Sequence, residues 1–270
     1  MRVGGYNYGA MGLRRAIRPI VRRIRYVGVR PTDVLLASYL KSGSTWVRFM
    51  LTDLMIGRDP EWRDVSPTIP YVGAHRGMRA ALPSGGRLLY THDPATGAAR
   101  RAVYLARDVR DVVLSEHRWI VRGGTPLELS TFVRDFSEGR SHLYGSWNDH
   151  VRYWLDSPLA RENALLVVRF EDLREAPADH LREIATFIGL ESSDEAVQRA
   201  VDDNSLERMR AKEERAPSEV LRPHETTERF VGTGTVGGWR SKLTRRETEA
   251  VERGSRDALR RLGYPTLEPN

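Results

Sequence analysis

A loop that follows the first apolar segment carries the side chains best suited to chemistry. Val34–Ser38 has the pattern of a buried strand, and a helical pattern begins at Ser44 or Thr45. Gly43 allows backbone conformations that other residues resist. Free amide groups in such a turn, together with the N-terminus of the helix, form an anion site. The polar side chains that would support this site are those of Lys41, Ser42, Ser44 and Thr45.

The lysine of this loop is unusual because only three of the 43 basic residues are lysines. An ammonium is a point charge and does different chemistry from a guanidinium. The loop is not a Walker A motif, in which a glycine, four residues and then Gly-Lys-Ser/Thr follow one another. Here the lysine precedes the glycine. The simpler alternative is a strand–helix turn closed by a serine cap.

A second strand–helix junction offers another anion contact. Arg107 follows a predicted strand, and Ser115 lies two helical turns later on about the same face. An arginine at a strand end can make a two-pronged contact to a phosphate. The alternative is a surface salt bridge from Arg107 to Asp111, four residues further on.

The segment Lys-Ser-Gly-Ser-Thr-Trp over residues 41–46 resembles the 5′-phosphosulfate loop of cytosolic-type sulfotransferases, which use 3′-phosphoadenosine 5′-phosphosulfate (PAPS) as donor. The resemblance covers most of residues 34–243, and we expect a bacterial member. It implies that Arg107 and Ser115 hold the 3′-phosphate of the donor. The product would be 3′-phosphoadenosine 5′-phosphate (PAP), and no metal is required.

The segment Thr91-His92-Asp93-Pro94 resembles the family's Thr-His-x-Pro, whose histidine is the general base. A histidine can accept a proton near neutral pH. Taken alone, any of the seven histidines is better explained by a structural role. The resemblance implies that His92 deprotonates an acceptor hydroxyl or amine, that Lys41 stabilises the leaving phosphate, and that Ser42 restrains Lys41 until the acceptor binds.

Later segments resemble the nucleoside pocket. Phe170 takes the place of an aromatic residue, usually tyrosine, that meets the adenine, and Trp46 offers a further stacking face. Ser205 is the retained residue of a segment that is usually Thr-Ser-Phe. The stretch from Phe230 to Arg240 keeps the family's frame, including Gly234.

The same stretch departs from the family at two positions. The family usually has Arg-Lys-Gly where this chain has Gly-Thr-Gly over residues 232–234, so two cationic contacts to the 3′-phosphate are missing. We expect the backbone N–H groups of the glycine-rich turn, or Arg229, to substitute for them.

Apolar runs alternate with helical patterns along the chain, which predicts an α/β fold: a central parallel sheet flanked by helices on both faces. Ligands bind such sheets beyond the carboxyl ends of the strands. Segments 57–86 and 211–243 are predicted to be long loops. Strands are predicted over Val34–Ser38, Arg87–Tyr90, Ala102–Ala106 and Ala164–Val168. Helices are predicted over Thr45–Ile56, Val109–Val121, Leu127–Glu138, Gly145–Leu155, Ala178–Ile188 and Thr244–Leu262.

The positive charge is concentrated in the first 30 residues of the 270, which hold eight arginines and no acid, whereas the remainder has a net charge of −1. A basic arm on a neutral body argues against a nucleic-acid-binding fold. Apolar residues at helical spacing cover residues 13–27, interrupted by Pro19. We favour a helix that packs on its own domain, or a frayed arm. Peripheral contact with an anionic membrane is the alternative.

We expect a cytoplasmic protein with the arm over residues 1–30 and one sulfotransferase domain over residues 31–270. Cysteine is absent, which excludes disulfides and a thiol nucleophile. We expect the acceptor to be a small molecule, glycan or glycolipid whose identity the sequence does not give, and no oligomeric state is predicted. Two other functions stay open. One is a catalytically inactive relative that binds nucleotide or membrane, and the other is a nucleotide kinase of related topology.

Overall fold

A parallel four-stranded sheet forms the centre of the structure, a computed structural model that describes residues 2–3, 6–7, 18–122, 126–140, 144–216 and 229–267. The strand order is β4–β3–β5–β6, and every neighbouring pair is parallel. The predicted α/β class is confirmed, and an antiparallel pair, β1 with β2, was not predicted. The strands are β1 (Arg2–Val3), β2 (Tyr6–Asn7), β3 (Val34–Ser38), β4 (Leu88–Thr91), β5 (Arg101–Ala106) and β6 (Leu165–Arg169).

The helix that follows β3 begins at Ser44, as the sequence predicts. They are α1 (residues 18–25), α2 (Ser44–Ile56), α3 (Trp62–Thr68), α4 (Val109–Arg122), α5 (Leu129–Ser137), α6 (Trp147–Leu155), α7 (Pro158–Arg161), α8 (Phe170–Glu175), α9 (Pro177–Ile188), α10 (Asp194–Asp203), α11 (Leu206–Arg215), α12 (Trp239–Lys242), α13 (Arg245–Arg253) and α14 (Arg256–Arg261).

Three predicted segments differ from the structure. The single helix predicted over Thr244–Leu262 is two helices, α13 and α14, separated at Gly254. The loop predicted over residues 57–86 contains α3, which a reciprocal capping box between Glu61 and Asp64 starts. The loop predicted over residues 211–243 contains the end of α11 and all of α12.

Alternation along the strands divides the core between the two faces of the sheet. Leu35 and Ala37 of β3 belong to one buried cluster, which also contains residues of α4, α5 and α6. Val34 and Leu36 belong to the other, which contains residues of α2, α9 and α10. Complete burial of a leucine stabilises a fold by roughly 1.5–3 kcal/mol, so both faces hold the sheet rigidly under the site.

The N-terminal helix α1 presents its polar side to the domain. Arg18 and Arg25 form ion pairs with the buried Asp93, with N–O distances of 2.7 and 3.4 Å. By contrast, the side chains of Ile20 and Ile24 are 65% and 54% exposed. The predicted packing on the domain is therefore made by the arginines and not by the apolar stripe. Leu13, Ala16 and Ile17 of that stripe lie outside the described residues.

None of the helices that the structure describes is long and apolar enough to cross a bilayer.

Candidate active site

A cavity of about 460 Å³ lies where β3, β4, β5 and β6 end, at the carboxyl edge of the sheet. Eleven of the thirteen candidate site residues line it. These are Lys41, Gly43, Ser44, Thr45, Trp46, His92, Arg107, Ser115, Phe170, Phe230 and Gly234. The other two, Ser42 and Ser205, lie outside the lining. The cavity also has walls that the sequence did not indicate, among them Arg48, Tyr90, Asp111, Glu116, Arg118, Trp119 and Arg174.

The loop between β3 and α2 has the backbone geometry of an anion-binding turn. Lys41 and Gly43 both have left-handed backbone conformations, with φ of 63° and 88°. Gly43 is the N-cap of α2 and no side chain caps the helix, so the alternative of a serine cap is wrong. Turns of this kind point successive N–H groups at an anion. The buried hydroxyl of Ser42 also makes no hydrogen bond.

Gly43 is required by its neighbour as well as by its backbone angle. A Cβ atom at this position would lie 2.4 Å from Cδ2 of Phe170. Phe170 follows β6, so a side chain at position 43 would push the ring out of the wall of the cavity. The close approach of the ring and the left-handed φ therefore both select glycine.

Lys41 lies among other cations. Burial lowers the pKa of its ammonium to about 8, and the nearby guanidinium of Arg118 acts in the same direction. The Nζ atom is 5.2 Å from the ring centroid of Phe230 and 5.7 Å from that of Trp119. Six basic side chains line the cavity against two acidic ones. This imbalance favours an anionic ligand, because like charges in a common cavity repel one another.

Arg107 connects two loops at the cavity. Its Nη1 donates to the carbonyl of Lys41 at 3.0 Å, and its Nη2 donates to the carbonyl of Thr235 at 3.1 Å. Its Nε is buried without a hydrogen-bond partner. Asp111, the alternative partner of Arg107, instead accepts from the backbone N–H groups of Gly237 and Trp239 at 2.7 and 3.0 Å. Arg107 therefore reaches the cavity with one donor unused.

His92 has a tautomer fixed by its hydrogen bonds. Its Nδ1 lies 2.8 Å from the carbonyl oxygen of Ser38, which can only accept, so this nitrogen carries the hydrogen. The unprotonated Nε2 of the neutral ring then faces the hydroxyl of Tyr90 at 2.5 Å. In this tautomer Nε2 is the nitrogen that can accept a proton, as a general base must.

An aromatic slot lies beside the loop. The rings of Trp46 and Phe170 meet edge to face with centroids 6.4 Å apart. The guanidinium of Arg107 lies 4.4 Å from the ring centroid of Phe170, and that of Arg174 lies 5.2 Å from that of Trp46. Ser205 caps α11 by accepting from the backbone N–H of Arg208, so it shapes the slot only by holding that helix.

The segment from Phe230 to Gly238 closes the cavity without a cation of its own. Arg229, an expected substitute, pairs with Glu214 at 2.6 Å and does not line the cavity. A Cβ atom at Gly232 would instead lie 2.4 Å from Nη2 of Arg118. The guanidinium of Arg118 thus fills the space that a side chain at position 232 would occupy. Its position three residues after Ser115, on one helical face, is the signal that sequence reasoning overlooked.

Among the described residues, one acidic group has spacing compatible with a metal ion: Asp53, Asp59 and Asp203. Arg199 pairs with Asp53 at 3.2 Å, and the Nζ of Lys212 pairs with Asp59. These cations already offset the carboxylates, so the group acts as an ion-pair network that joins α2, α10 and α11.

The chain and its fold are similar to those of known proteins. The chain is 26% identical to mouse sulfotransferase 1A1 over 242 residues, or 81% of both chains. It is 27% identical to Arabidopsis thaliana cytosolic sulfotransferase 13, over 87% of this chain and 79% of the relative. The fold is similar to that of retinol dehydratase in complex with retinol and PAP, with a TM-score of 0.71 and 20% identity over 93% of this chain and 88% of that one. It is also similar to mouse sulfotransferase SULT7A1 complexed with PAP, with a TM-score of 0.67 and 19% identity over 90% and 89%. The sulfotransferase domain model matches residues 31–263, and the chain therefore belongs to the sulfotransferase family.

Proposed function

We propose that residues 31–270 form one domain that moves a sulfuryl group from PAPS to a hydroxyl or amine of a small-molecule, glycan or glycolipid acceptor. One observation carries this proposal: a single cavity brings together the Lys41 loop, Arg107 and His92. An anion-binding loop, a phosphate-binding arginine and a neutral base are the groups that sulfuryl transfer to a hydroxyl needs. The two structural neighbours with bound PAP support this choice of donor.

The described residues fit such a donor. The guanidinium of Arg107 and the left-handed turn at Lys41 and Gly43 lie at the cavity and suit the anionic groups of the donor. Trp46 and Phe170 offer ring faces and edges for a purine. When bound, the donor supplies the sulfuryl group and departs as PAP. The lost Arg-Lys contacts at positions 232 and 233 are replaced in this proposal by Arg118, whose guanidinium already lies against Gly232.

Two side chains carry the chemical step in this proposal. His92 accepts the proton of the acceptor at Nε2, because its Nδ1–H is committed to the Ser38 carbonyl. Lys41 stabilises the negative charge that develops on the leaving phosphate, and the loop amides assist it. The restraint of the ammonium by Ser42, which the resemblance implies, is not made in the structure, because the Ser42 hydroxyl makes no hydrogen bond. A positioned base contributes roughly 10²–10⁴ in rate.

The test is a screen of acceptors with PAPS, in which mass spectrometry detects the addition of one SO₃ unit. The wild-type chain should sulfate at least one hydroxylated acceptor, and His92→Gln should lower its turnover by roughly a hundredfold or more. Calorimetry with PAP runs in parallel. Binding of PAP without sulfation of any acceptor would favour the inactive relative, and phosphoryl transfer from ATP with magnesium would favour the kinase.

A second proposal concerns the location of the chain: a cytoplasmic protein that contacts the inner membrane surface through α1. Four of the seven exposed large hydrophobic side chains among the described residues lie on or just after this helix. These are Ile20, Val21, Ile24 and Val27. The surrounding arm carries eight arginines and no acid in its first 30 residues. An apolar face with basic flanks fits an anionic bilayer, and it favours a lipid or glycolipid acceptor.

Sedimentation with vesicles tests this second proposal. Ile20→Asp/Ile24→Asp should abolish binding to vesicles that contain anionic lipid, while Trp119→Asp, which alters an exposed ring in the wall of the cavity and not on α1, should not. Equal binding of all three proteins, or binding that does not depend on anionic lipid, would contradict membrane contact through α1.

A further inference from the structure

Tyr90 occupies an unexpected place between the base and the anion loop. It lies on β4, is 8% exposed, and lines the cavity. Its Oη is 2.5 Å from Nε2 of His92 and 2.8 Å from Oγ of Ser44, the first residue of α2. The ring is held by the guanidinium of Arg48, which lies 4.6 Å from its centroid. The Tyr90 hydroxyl thus contacts both His92 and, through Ser44, the start of the helix that follows the anion loop.

The direction of these hydrogen bonds follows from His92. Its Nδ1–H is committed to the carbonyl of Ser38, so Nε2 of the neutral ring can only accept, and Tyr90 must donate to it. The Ser44 hydroxyl then donates to Tyr90. Burial raises the pKa of Tyr90, so the phenol keeps its proton at neutral pH. The chain of hydrogen bonds runs from Ser44 through Tyr90 to His92.

This arrangement leaves the base without a place for a second donor. Nε2 of imidazole has one lone pair, and the Tyr90 hydroxyl already occupies it. A phenolic oxygen has two lone pairs: Ser44 uses one, and the hydroxyl of Ser38 also hydrogen-bonds to the phenol. Ser38 can instead pair with Nδ1 of His92, which is 3.4 Å away, so a donor that enters the cavity is accepted by Tyr90 in place of Ser38, and not by His92.

We propose that Tyr90 is a catalytic residue that passes the proton of the acceptor to His92. The inference rests on the proposed role of His92 as base. As the acceptor oxygen forms its bond to sulfur, its O–H bond breaks and the proton moves to Tyr90 Oη. The original proton of Tyr90 moves to His92 Nε2, and the electron pair of the broken S–O bond leaves on the phosphate oxygen. Afterwards His92 Nε2–H donates to Tyr90, so no side chain has to rotate.

The main experiment compares Tyr90→Phe with Tyr104→Phe. Tyr104 is a matched control because it is a buried tyrosine whose hydroxyl lies 3.0 Å from Nδ1 of another histidine, His150, outside the cavity. Single-turnover rates with saturating PAPS and acceptor isolate the chemical step. Tyr90→Phe should slow this step about a hundredfold with PAP affinity retained, and Tyr104→Phe should leave it within about threefold of wild type.

A near-normal single-turnover rate in Tyr90→Phe would overturn the relay. If His92→Gln is slow in the same assay, the role of His92 survives that result; if His92→Gln is also near normal, the proposed base fails as well. These two outcomes separate failure of the relay from failure of the proposed function.

A second measurement needs no variant, so it remains decisive if Tyr90→Phe does not fold. The wild-type single-turnover rate is measured in mixtures of H₂O and D₂O. Two protons that move in one step give a curved dependence on the deuterium fraction, and one proton gives a straight line. A straight line would contradict the relay.

Discussion

Two glycine-containing segments border the cavity, and they differ in how positive charge reaches them. The loop from Lys41 to Thr45 contains its own ammonium, its own hydroxyls and two left-handed residues. The segment from Phe230 to Gly238 has no basic residue at all. Its contribution is backbone, and other elements supply its charge and hold its shape.

Those other elements can be identified. The carboxylate of Glu213 accepts from the backbone N–H groups of Phe230 and Val231 at the start of the segment. Asp111 does the same at its end, through Gly237 and Trp239. Between these two clamps, the guanidinium of Arg118 lies against Gly232.

The comparison indicates that the positive charge beside a glycine-rich segment can be supplied by a different element, here α4, while the cavity stays basic. A glycine at position 232 makes room, and an arginine on the facing helix α4 fills it. The first loop instead carries its own charge on Lys41, which lies buried among neighbouring cations. The two segments should therefore respond very differently to substitution.

The largest effect is expected at Lys41. Lys41→Ala should lower turnover by about a hundredfold or more, since loss of one preorganised charge donor costs roughly 2.7–4 kcal/mol in comparable sites. Lys41→Met is the matched variant, because it keeps the buried chain and removes only the charge. Both should fold with melting temperatures near wild type, as read by thermal unfolding. Near-normal turnover in Lys41→Met would remove the ammonium from the mechanism.

The next effect is expected at Arg118. Arg118→Gln should weaken PAP binding by roughly tenfold to a hundredfold, because a charge-assisted hydrogen bond contributes about 1.5–3 kcal/mol. Calorimetry with PAP measures it. Arg229→Gln is the control, since Arg229 is paired with Glu214 away from the cavity. Equal losses in both variants would mean that general positive charge, and not the place of Arg118, attracts the ligand.

The parts of the site that local sequence determines were predictable. A buried strand, a glycine and a helical pattern specify where amide groups are exposed, and the structure has the junction at Ser44 as expected. The residues that follow each parallel strand, His92 and Arg107 among them, meet at one edge because parallel strands share their direction. The apolar pattern of strands and the residue types of turns depend on neighbouring residues, so one sequence is enough to recognise them.

The parts that depend on distant pairs were not predictable. Nothing near Gly232 indicates that Arg118, more than 100 positions earlier, fills its space. Likewise, the sequence predicted the apolar stripe of α1 but not the arginine pairs with Asp93 that turn this stripe toward solvent. Tyr90 was read only as a strand residue, because its contact with Ser44 crosses from β4 to α2.

A smaller effect is expected from pH. Lys41 has a pKa lowered to about 8 by burial, so it loses its charge as the pH rises through that value. The kcat/KM for PAPS, which reports the free enzyme, should fall about tenfold per unit above pH 8. The limb in kcat should lie at higher pH, because a bound anion favours the ammonium. Lys41→Arg should remove the basic limb of kcat/KM, since a guanidinium stays charged; persistence of the limb would assign it to another group.

The smallest effect is expected at Gly232, and it tests the exchange of charge between the two segments most directly. A Cβ in Gly232→Ala would displace the flexible end of Arg118 and should weaken PAP binding by roughly threefold. In the Arg118→Gln background the shorter side chain leaves room, so the same substitution should have almost no further effect. Calorimetry of the four proteins gives the coupling. Additive losses would show that Gly232 contributes through its own backbone and that Arg118 acts independently of it.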